Sequence, residues 1–245
     1  MTPAHGRTVI ITIDGPAGSG KSTTARRVAE ELDILYLDSG ALYRAVTWAG
    51  LDRRIDLSDG EQVTALAERL SIELRATGSG LQVVVDGRDV SMAIRTPEVT
   101  EAIAPVAGNA GVRRALLQTQ RNMAQQGSLV AEGRDMGSVV FPDADLKFFM
   151  VASIEERARR RQAELAAKDI QIELAELIAM INHRDQTDSE REHAPLLKPE
   201  GAIEIDTSAL SVAEQVQLVV AQARDRKSTR LNSSNGIRSR MPSSA

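Results

Sequence analysis

The amino-acid sequence predicts an α/β protein in which a parallel sheet is flanked by helices. Three observations predict it. Val9-Ile10-Ile11-Thr12-Ile13 is a β-branched run that passes into a glycine-rich loop, and a helical pattern opens straight after that loop. A second short apolar run, Leu35-Tyr36-Leu37, also ends in a polar turn and leads into a helix. Strand, loop and helix repeated in this way suit a parallel sheet, whose neighbouring strands need a crossover between them. The 245 residues suffice for one large core or a core with inserted subdomains.

Each element follows from its own pattern. From Lys21 to Leu32, the apolar residues Ala25, Val28, Ala29 and Leu32 recur at helical spacing. Asp38-Ser39-Gly40 opens a second helix reaching to about Trp48, with Ser39 placed to cap it. Alternation in Ile72-Glu73-Leu74 and Leu81-Gln82-Val83-Val84-Val85 around Thr77-Gly78-Ser79-Gly80 predicts an antiparallel hairpin. A parallel sheet does not need one, so a small subdomain is expected to be inserted at about 50–107. The α/β rhythm returns with a helix over about 112–126, ended by Gly127. Strands follow at Leu129-Val130-Ala131 and over 146–151, then helices over about 153–168 and 170–191. A last strand is expected over 202–205 and a last helix over 212–223.

Residues 226–245 break the rhythm, being rich in Ser, Arg and Asn without a period. They predict a disordered tail. The run Asp225-Arg226-Lys227-Ser228-Thr229-Arg230-Leu231-Asn232-Ser233-Ser234 resembles a translated sequencing adapter, so the tail is expected to be non-native. The chain from 1 to 225 is therefore read as a single domain.

Composition narrows the function. The chain has no cysteine, which excludes a disulfide framework, a thiolate zinc site and a cysteine nucleophile. Its three histidines, His5, His183 and His193, are scattered. No apolar run is long enough to span a bilayer, and Met1 to Thr8 lacks a signal-peptide pattern, so a cytoplasmic location without membrane partners is expected. The net charge is −4, yet the tail carries Arg226, Lys227, Arg230, Arg238 and Arg240 with no acid. The body is more acidic than the total shows and offers no general footprint for nucleic acid. An anionic substrate must be met by a local cluster of cations.

Gly15-Pro16-Ala17-Gly18-Ser19-Gly20-Lys21-Ser22, followed by Thr23, fits the phosphate-binding pattern G-x-x-x-x-G-K-[ST]. Glycines let several backbone N–H groups face one anion, and the helix start adds its positive dipole end. Lys21 is expected to reach the β- and γ-phosphates of a nucleoside triphosphate, and the Ser22 hydroxyl to ligate Mg²⁺. Two further polar clusters also follow strands. They are Asp38-Ser39-Gly40-Ala41-Leu42-Tyr43-Arg44 and Glu132-Gly133-Arg134-Asp135-Met136-Gly137. In an open α/β sheet such loops converge beyond the carboxyl ends of the strands. Arg184, Asp188 and Arg191 share one helix face, and Arg157, Arg160 and Arg161 form another cationic group. Phosphoryl transfer between two anionic nucleotides would use such a crowd, because its catalysis is mostly positioning and charge stabilisation. The inserted hairpin region and the Arg-rich helix are the segments placed to close over substrates and exclude water.

The chain resembles the bacterial cytidylate kinase family. The resemblance rests on Ile13-Asp14-Gly15-Pro16, Asp38-Ser39-Gly40 with Tyr43-Arg44, and Ile94-Arg95-Thr96. It rests also on Gly133-Arg134-Asp135-Met136-Gly137 with Val140-Phe141-Pro142-Asp143, and on Arg184-Asp185 with Asp188. It runs from about Val9 to Ala223. It implies a P-loop kinase core, an inserted monophosphate-binding subdomain and a short helical lid at about 155–172. It implies transfer of the γ-phosphoryl of ATP, with Mg²⁺, to CMP or dCMP by a monomeric enzyme. By resemblance, Ser39, Arg44 and Arg134 hold the acceptor phosphate beside Tyr43, and Arg113 and Asp135 read the cytosine edge. Arg184 and Asp188 contact the sugar hydroxyls, Arg191 lies on the acceptor side, and Arg157 with Arg160 or Arg161 comes from the lid. One departure stands out: Ala104-Pro105 occupies the place where the family carries a Ser that contributes to cytosine recognition. A P-loop kinase acting on UMP or a nucleoside is one alternative. A nucleotide-binding switch is another, although the chain has no Asn-Lys-x-Asp guanine motif.

Overall fold

The computed structural model describes residues 8–77, 80–167 and 169–238. The expected turn at Gly78-Ser79, the leader reading for 1–7 and the last residues of the tail, 239–245, lie outside the described residues. Five strands form one parallel sheet: β1 (Ile10–Asp14), β2 (Leu35–Asp38), β6 (Leu129–Gly133), β7 (Leu146–Val151) and β8 (Ile203–Asp206). Their order is β2-β6-β1-β7-β8. β1 lies at the centre and is paired on both edges, which is why it is a continuous apolar and β-branched run with Ile11 and Ile13 fully buried.

Side chains on β6 alternate between two cores. Leu129 and Ala131 face a cluster built with α2 (Ser39–Asp52), α3 (Gly60–Arg69) and α5 (Ala110–Ala124). Val130 faces the opposite cluster, with Ile11, Ile13 and Phe148, against α1 (Lys21–Leu32) and α8 (Val212–Arg238). Each fully buried side chain of this size contributes about 1.5–3 kcal/mol relative to exposure. The two-sided sheet therefore holds the strand ends, and the loops leaving them, in fixed register. Asp14 lies level with Gly133, and Asp38 with Glu132.

The hairpin is present. β3 (Ile72–Thr77) and β4 (Gly80–Val85) pair antiparallel, and β5 (Arg88–Asp89) adds a short third strand. It is a separate sheet but not a separate core, because Val83, Val85 and Val90 pack in the same cluster as Leu37, Leu129 and Ala131. α4 (Pro97–Gly108) completes this region, capped by Thr96 with proline at its first position. α6 (Ile154–Ala166) and α7 (Leu174–Glu190) pack on each other through a small cluster of their own, Ala158, Leu165, Leu177 and Ile181.

Several boundaries differ from the sequence reading. α2 is capped by Asp38, whose side chain accepts from the Ala41 N–H, rather than by Ser39. The carboxylate, one residue earlier, has the reach for that donor, and the Ser39 hydroxyl makes no hydrogen bond among the described residues. α5 begins two residues before the expected start because Asn109 accepts from Gly111 and Val112. α8 continues to Arg238, where an aperiodic tail is expected from 226. A helix already nucleated through Ala223 propagates at little cost, and the first proline beyond it is Pro242.

Candidate active site

The glycine-rich loop connects β1 to α1. Gly20 adopts a left-handed conformation (φ 88°) at the start of α1, and neither a side-chain cap nor an acidic residue serves the first turn. The leading N–H groups of α1 are thus left for an anion. Lys21 folds back over the loop and donates to the Pro16 carbonyl at 2.8 Å. Burial, then the nearby Arg134 and Arg184, pull its ammonium down to about 7 against the attraction of Glu132 and Asp188. Ser22 donates to Oε1 of Glu132 at 2.6 Å, and Tyr36 donates to the same oxygen at 3.3 Å. Burial and the neighbouring Asp38 raise the Glu132 carboxyl.

The loop after β6 is fixed from below. Asp14 accepts from the N–H groups of Met136 and Gly137 at 2.8 and 2.7 Å, which ties the loop carrying Arg134 and Asp135 to the end of β1. Burial pushes the Asp14 carboxyl up to about 7, against those two bonds. A π-turn over Met136–Val140 follows.

Arg134 donates to Asp188 at 2.7 Å, and Asp188 lies 3.7 Å from Arg191. Arg113 pairs with the buried Asp135, donates to the Ala107 carbonyl at 3.0 Å and stacks over the Tyr43 ring at 5.3 Å. The sequence-predicted residues Ser39, Tyr43, Arg113, Arg134, Asp135, Arg184, Asp188 and Arg191 thus come from α2, α5, the loop after β6, and α7 with its C-terminal cap. Ser39 Oγ sits against Gly133, since a Cβ there would lie 2.5 Å from it.

This cluster is short of anions. Arg184 and Arg44 have no hydrogen bond or ion pair among the described residues. Burial, then Arg134, lowers the Arg184 guanidinium to about 10, with Arg44 and Arg161 adding to the effect. Nη2 of Arg191 is buried with no partner. Unpaired guanidinium groups crowded into a part-buried site have the charge and the donors that suit a phosphate.

The Arg-rich helix α6 meets the phosphate loop. Arg157 donates to the Ala17 carbonyl at 3.2 Å, and Arg160 contacts the Gly18 carbonyl at 3.4 Å. Arg161 does not join them. It pairs with Glu164 on its own helix, near enough to Arg184 to depress it. A cavity of about 380 Å³ opens at this junction, lined by Gly20, Thr23, Arg160, Ser211, Val212 and Gln215 among others.

Sequence reasoning gave no role to Glu132, Arg95, Thr207 or Gln215. Arg95 lies 3.6 Å from Asp38. Thr207 donates to the Ser19 carbonyl at 3.0 Å and receives Arg160, and Gln215 accepts from Thr24 at 2.8 Å. Glu132 and Arg95 stood inside recognised motifs, so position was the available signal; Thr207 and Gln215 had none.

A family model described as Cytidylate kinase matches residues 11–225. The chain belongs to the cytidylate kinase family. Relatives of this family include a bifunctional pantoate ligase/cytidylate kinase from Synechococcus sp. (strain CC9902), 46% identical over 222 residues. That alignment covers 90% of this chain and 46% of the relative. The protein of the same name from Synechococcus elongatus is 48% identical over 227 residues, covering 91% of this chain and 43% of its own. The chain thus spans about half the length of the curated relatives it matches. Solved structures that resemble it include a gluconokinase from Sinorhizobium meliloti 1021 (TM-score 0.47, 15% identical, 93% of this chain and 99% of that one). A shikimate kinase from Bacteroides thetaiotaomicron gives 0.46 and 13%, over 88% and 98%.

Proposed function

We propose that this chain transfers the γ-phosphoryl of ATP to CMP or dCMP, giving ADP and CDP or dCDP. The observation that carries this reading is the anion-short group of Arg44, Arg184 and Arg191, of which Arg184 acts electrostatically on the phosphate-loop lysine. A switch protein would have a phosphate loop but no use for a second phosphate receptor. In the reaction an oxygen of the acceptor phosphate attacks the γ-phosphorus in line, the bond to the β–γ bridging oxygen breaks, and ADP leaves. Ser39, Arg44 and Arg134 hold the acceptor phosphate. Arg113 and Asp135 face the base, with Tyr43 beneath them, while Arg184, Asp188 and Arg191 hold the sugar and the acceptor side. Lys21, Arg157 and Arg160 meet charge on the moving group, and Gly15 to Thr23 wrap the triphosphate.

The oxygen donors Ser22 and Glu132 fit Mg²⁺, which is a hard cation that keeps waters and phosphate oxygens as its other ligands. When bound with ATP, Mg²⁺ neutralises charge on the β- and γ-phosphates. A single domain over 1–225 working as a cytoplasmic monomer completes the reading, with α6 and the segment after it as lid and 226–245 as a non-native extension.

Incubation with ATP, Mg²⁺ and, in parallel, CMP, dCMP, UMP and AMP tests the proposal through ADP release. Rapid release with CMP and dCMP and little with AMP is expected. ATP binding without acceptor-dependent ADP would reject it.

A further inference from the structure

Asp185 stands next to Arg184 on α7 and has no part in the scheme above. Its Oδ2 accepts from Nη1 of Arg157 at 2.6 Å, across from α7 to α6. Both side chains are largely buried, at 8% exposure for Arg157 and 23% for Asp185. Arg157 is held at two further points. Its Nε donates to the Ala152 carbonyl at 3.1 Å, and its Nη1 also donates to Ala17 of the phosphate loop. The stem of Arg157 lies under the same loop, since a Cβ on Gly18 would meet its Cβ at 3.0 Å. The Nε–H and both hydrogens of Nη1 are thereby committed. Nη2 carries no hydrogen bond among the described residues, and it is the donor left to meet an incoming oxygen. Oδ1 of Asp185 is buried without a partner, so the carboxylate grips Arg157 through one oxygen only.

We propose that Asp185 is a positioning residue that locks Arg157 so that its free Nη2 faces the transferred phosphoryl. The assignment rests on the kinase reading above. A planar guanidinium held at Nε and at Nη1 has its remaining nitrogen fixed in direction, and orientation of this kind matters most in the transition state. Asp185 is also one residue from Arg184 and three from Asp188, so the helix that carries the acceptor-side groups carries the clamp on the donor side as well. Displacement of α7 moves both together. Without Asp185, the guanidinium keeps only the two longer bonds to the Ala152 and Ala17 carbonyls, and its plane is held less firmly.

The test is a double-mutant cycle on the full chain with Asp185→Asn, Arg157→Lys and the double variant. Turnover and KM are measured for CMP and ATP, together with the melting midpoint. Asp185→Asn is expected to lower kcat about 10- to 100-fold while both KM values stay within about threefold. In the Arg157→Lys background the same change is expected to matter less than about twofold, because its target is already gone. A kcat within about twofold of wild type in Asp185→Asn, or full multiplicative losses in the double variant, would overturn the assignment. If Asn at 185 prevents folding, Asp185→Glu reads the same relationship, since it keeps the charge and displaces Arg157 by one methylene. A lowered kcat at constant KM supports the proposal, and a change confined to KM overturns it. Wild-type protein that releases no ADP with CMP overturns the kinase reading and this assignment with it. Wild-type turnover with unaffected Asp185 variants overturns this assignment alone.

Discussion

Ser22 donates its hydroxyl to Glu132 across 110 residues of sequence, joining the first turn of α1 to the last residues of β6. The hydroxyl stands directly after the glycine-rich loop, and the carboxylate just before the loop that carries Arg134 and Asp135. Glu132→Gln keeps the shape and loses the charge. It is expected to lower turnover about 10- to 100-fold and to raise the Mg²⁺ concentration needed for half-maximal rate. ADP formation across a Mg²⁺ titration checks this; an unmoved titration curve sinks the assignment of Glu132 to the metal side.

Lys21 makes a calorimetric prediction. Burial, with Arg134 next, lowers it from 10.5 to about 7 in the unliganded protein. A depressed value means that the folded state gives up a proton which the unfolded state keeps between about pH 7 and 10.5. The contribution of Lys21 to stability is therefore present above that window and is lost as pH falls through it. Phosphate groups restore the charge. ATP binding at pH 8 is expected to take up protons, seen as a heat that varies with buffer ionisation enthalpy. Heats identical across buffers would contradict it.

Arg113 is the neutralising partner of a carboxylate whose side chain is only 4% exposed. Arg113→Met leaves Asp135 charged and unpaired, which costs about 3–5 kcal/mol in urea unfolding. Replacing both partners, as Arg113→Met with Asp135→Leu, is expected to recover most of that stability while the protein stays inactive towards CMP. A loss below about 1 kcal/mol in the single variant would mean that water reaches the pair.

Ala104 is exposed on α4, three residues before the carbonyl of Ala107 that receives Arg113. Ala104→Ser returns a hydroxyl to this side of the base reader. One added hydrogen bond of about 1 kcal/mol corresponds to roughly fivefold in the ratio of kcat/KM for CMP over UMP. An unchanged ratio removes Ala104 from base recognition.

The parallel core was legible because its strands carry mostly apolar or β-branched runs, as in Ile10–Asp14 and Leu146–Val151. The phosphate loop was legible because its glycines and Lys21 are local in sequence. The cap of α2 was misread because Asp38 and Ser39 are both good capping residues, and reach rather than residue type decided between them. Arg160 and Arg161 follow Arg157 by three and four residues on one helix face, so spacing alone did not separate them. Thr207, which braces Ser19 and receives Arg160, and Asp185, which grips Arg157, act between side chains and backbone brought together only by the sheet and by α6 and α7. No short-range pattern encodes such partners.

The small core between α6 and α7 sets where this molecule can give way. Ala158, Leu165, Leu177 and Ile181 hold the pair together, whereas the sheet and the hairpin are anchored in far larger clusters. Amide hydrogens along these two helices should therefore exchange through partial opening, at a free energy below that of global unfolding. On the proposed reading, Arg157, Arg160, Arg184 and Asp188 ride on the least costly part to loosen, so product could escape without disturbing the strands below. Cycle time would then be governed by how often a few aliphatic contacts part, with the bond-making step waiting on that clock.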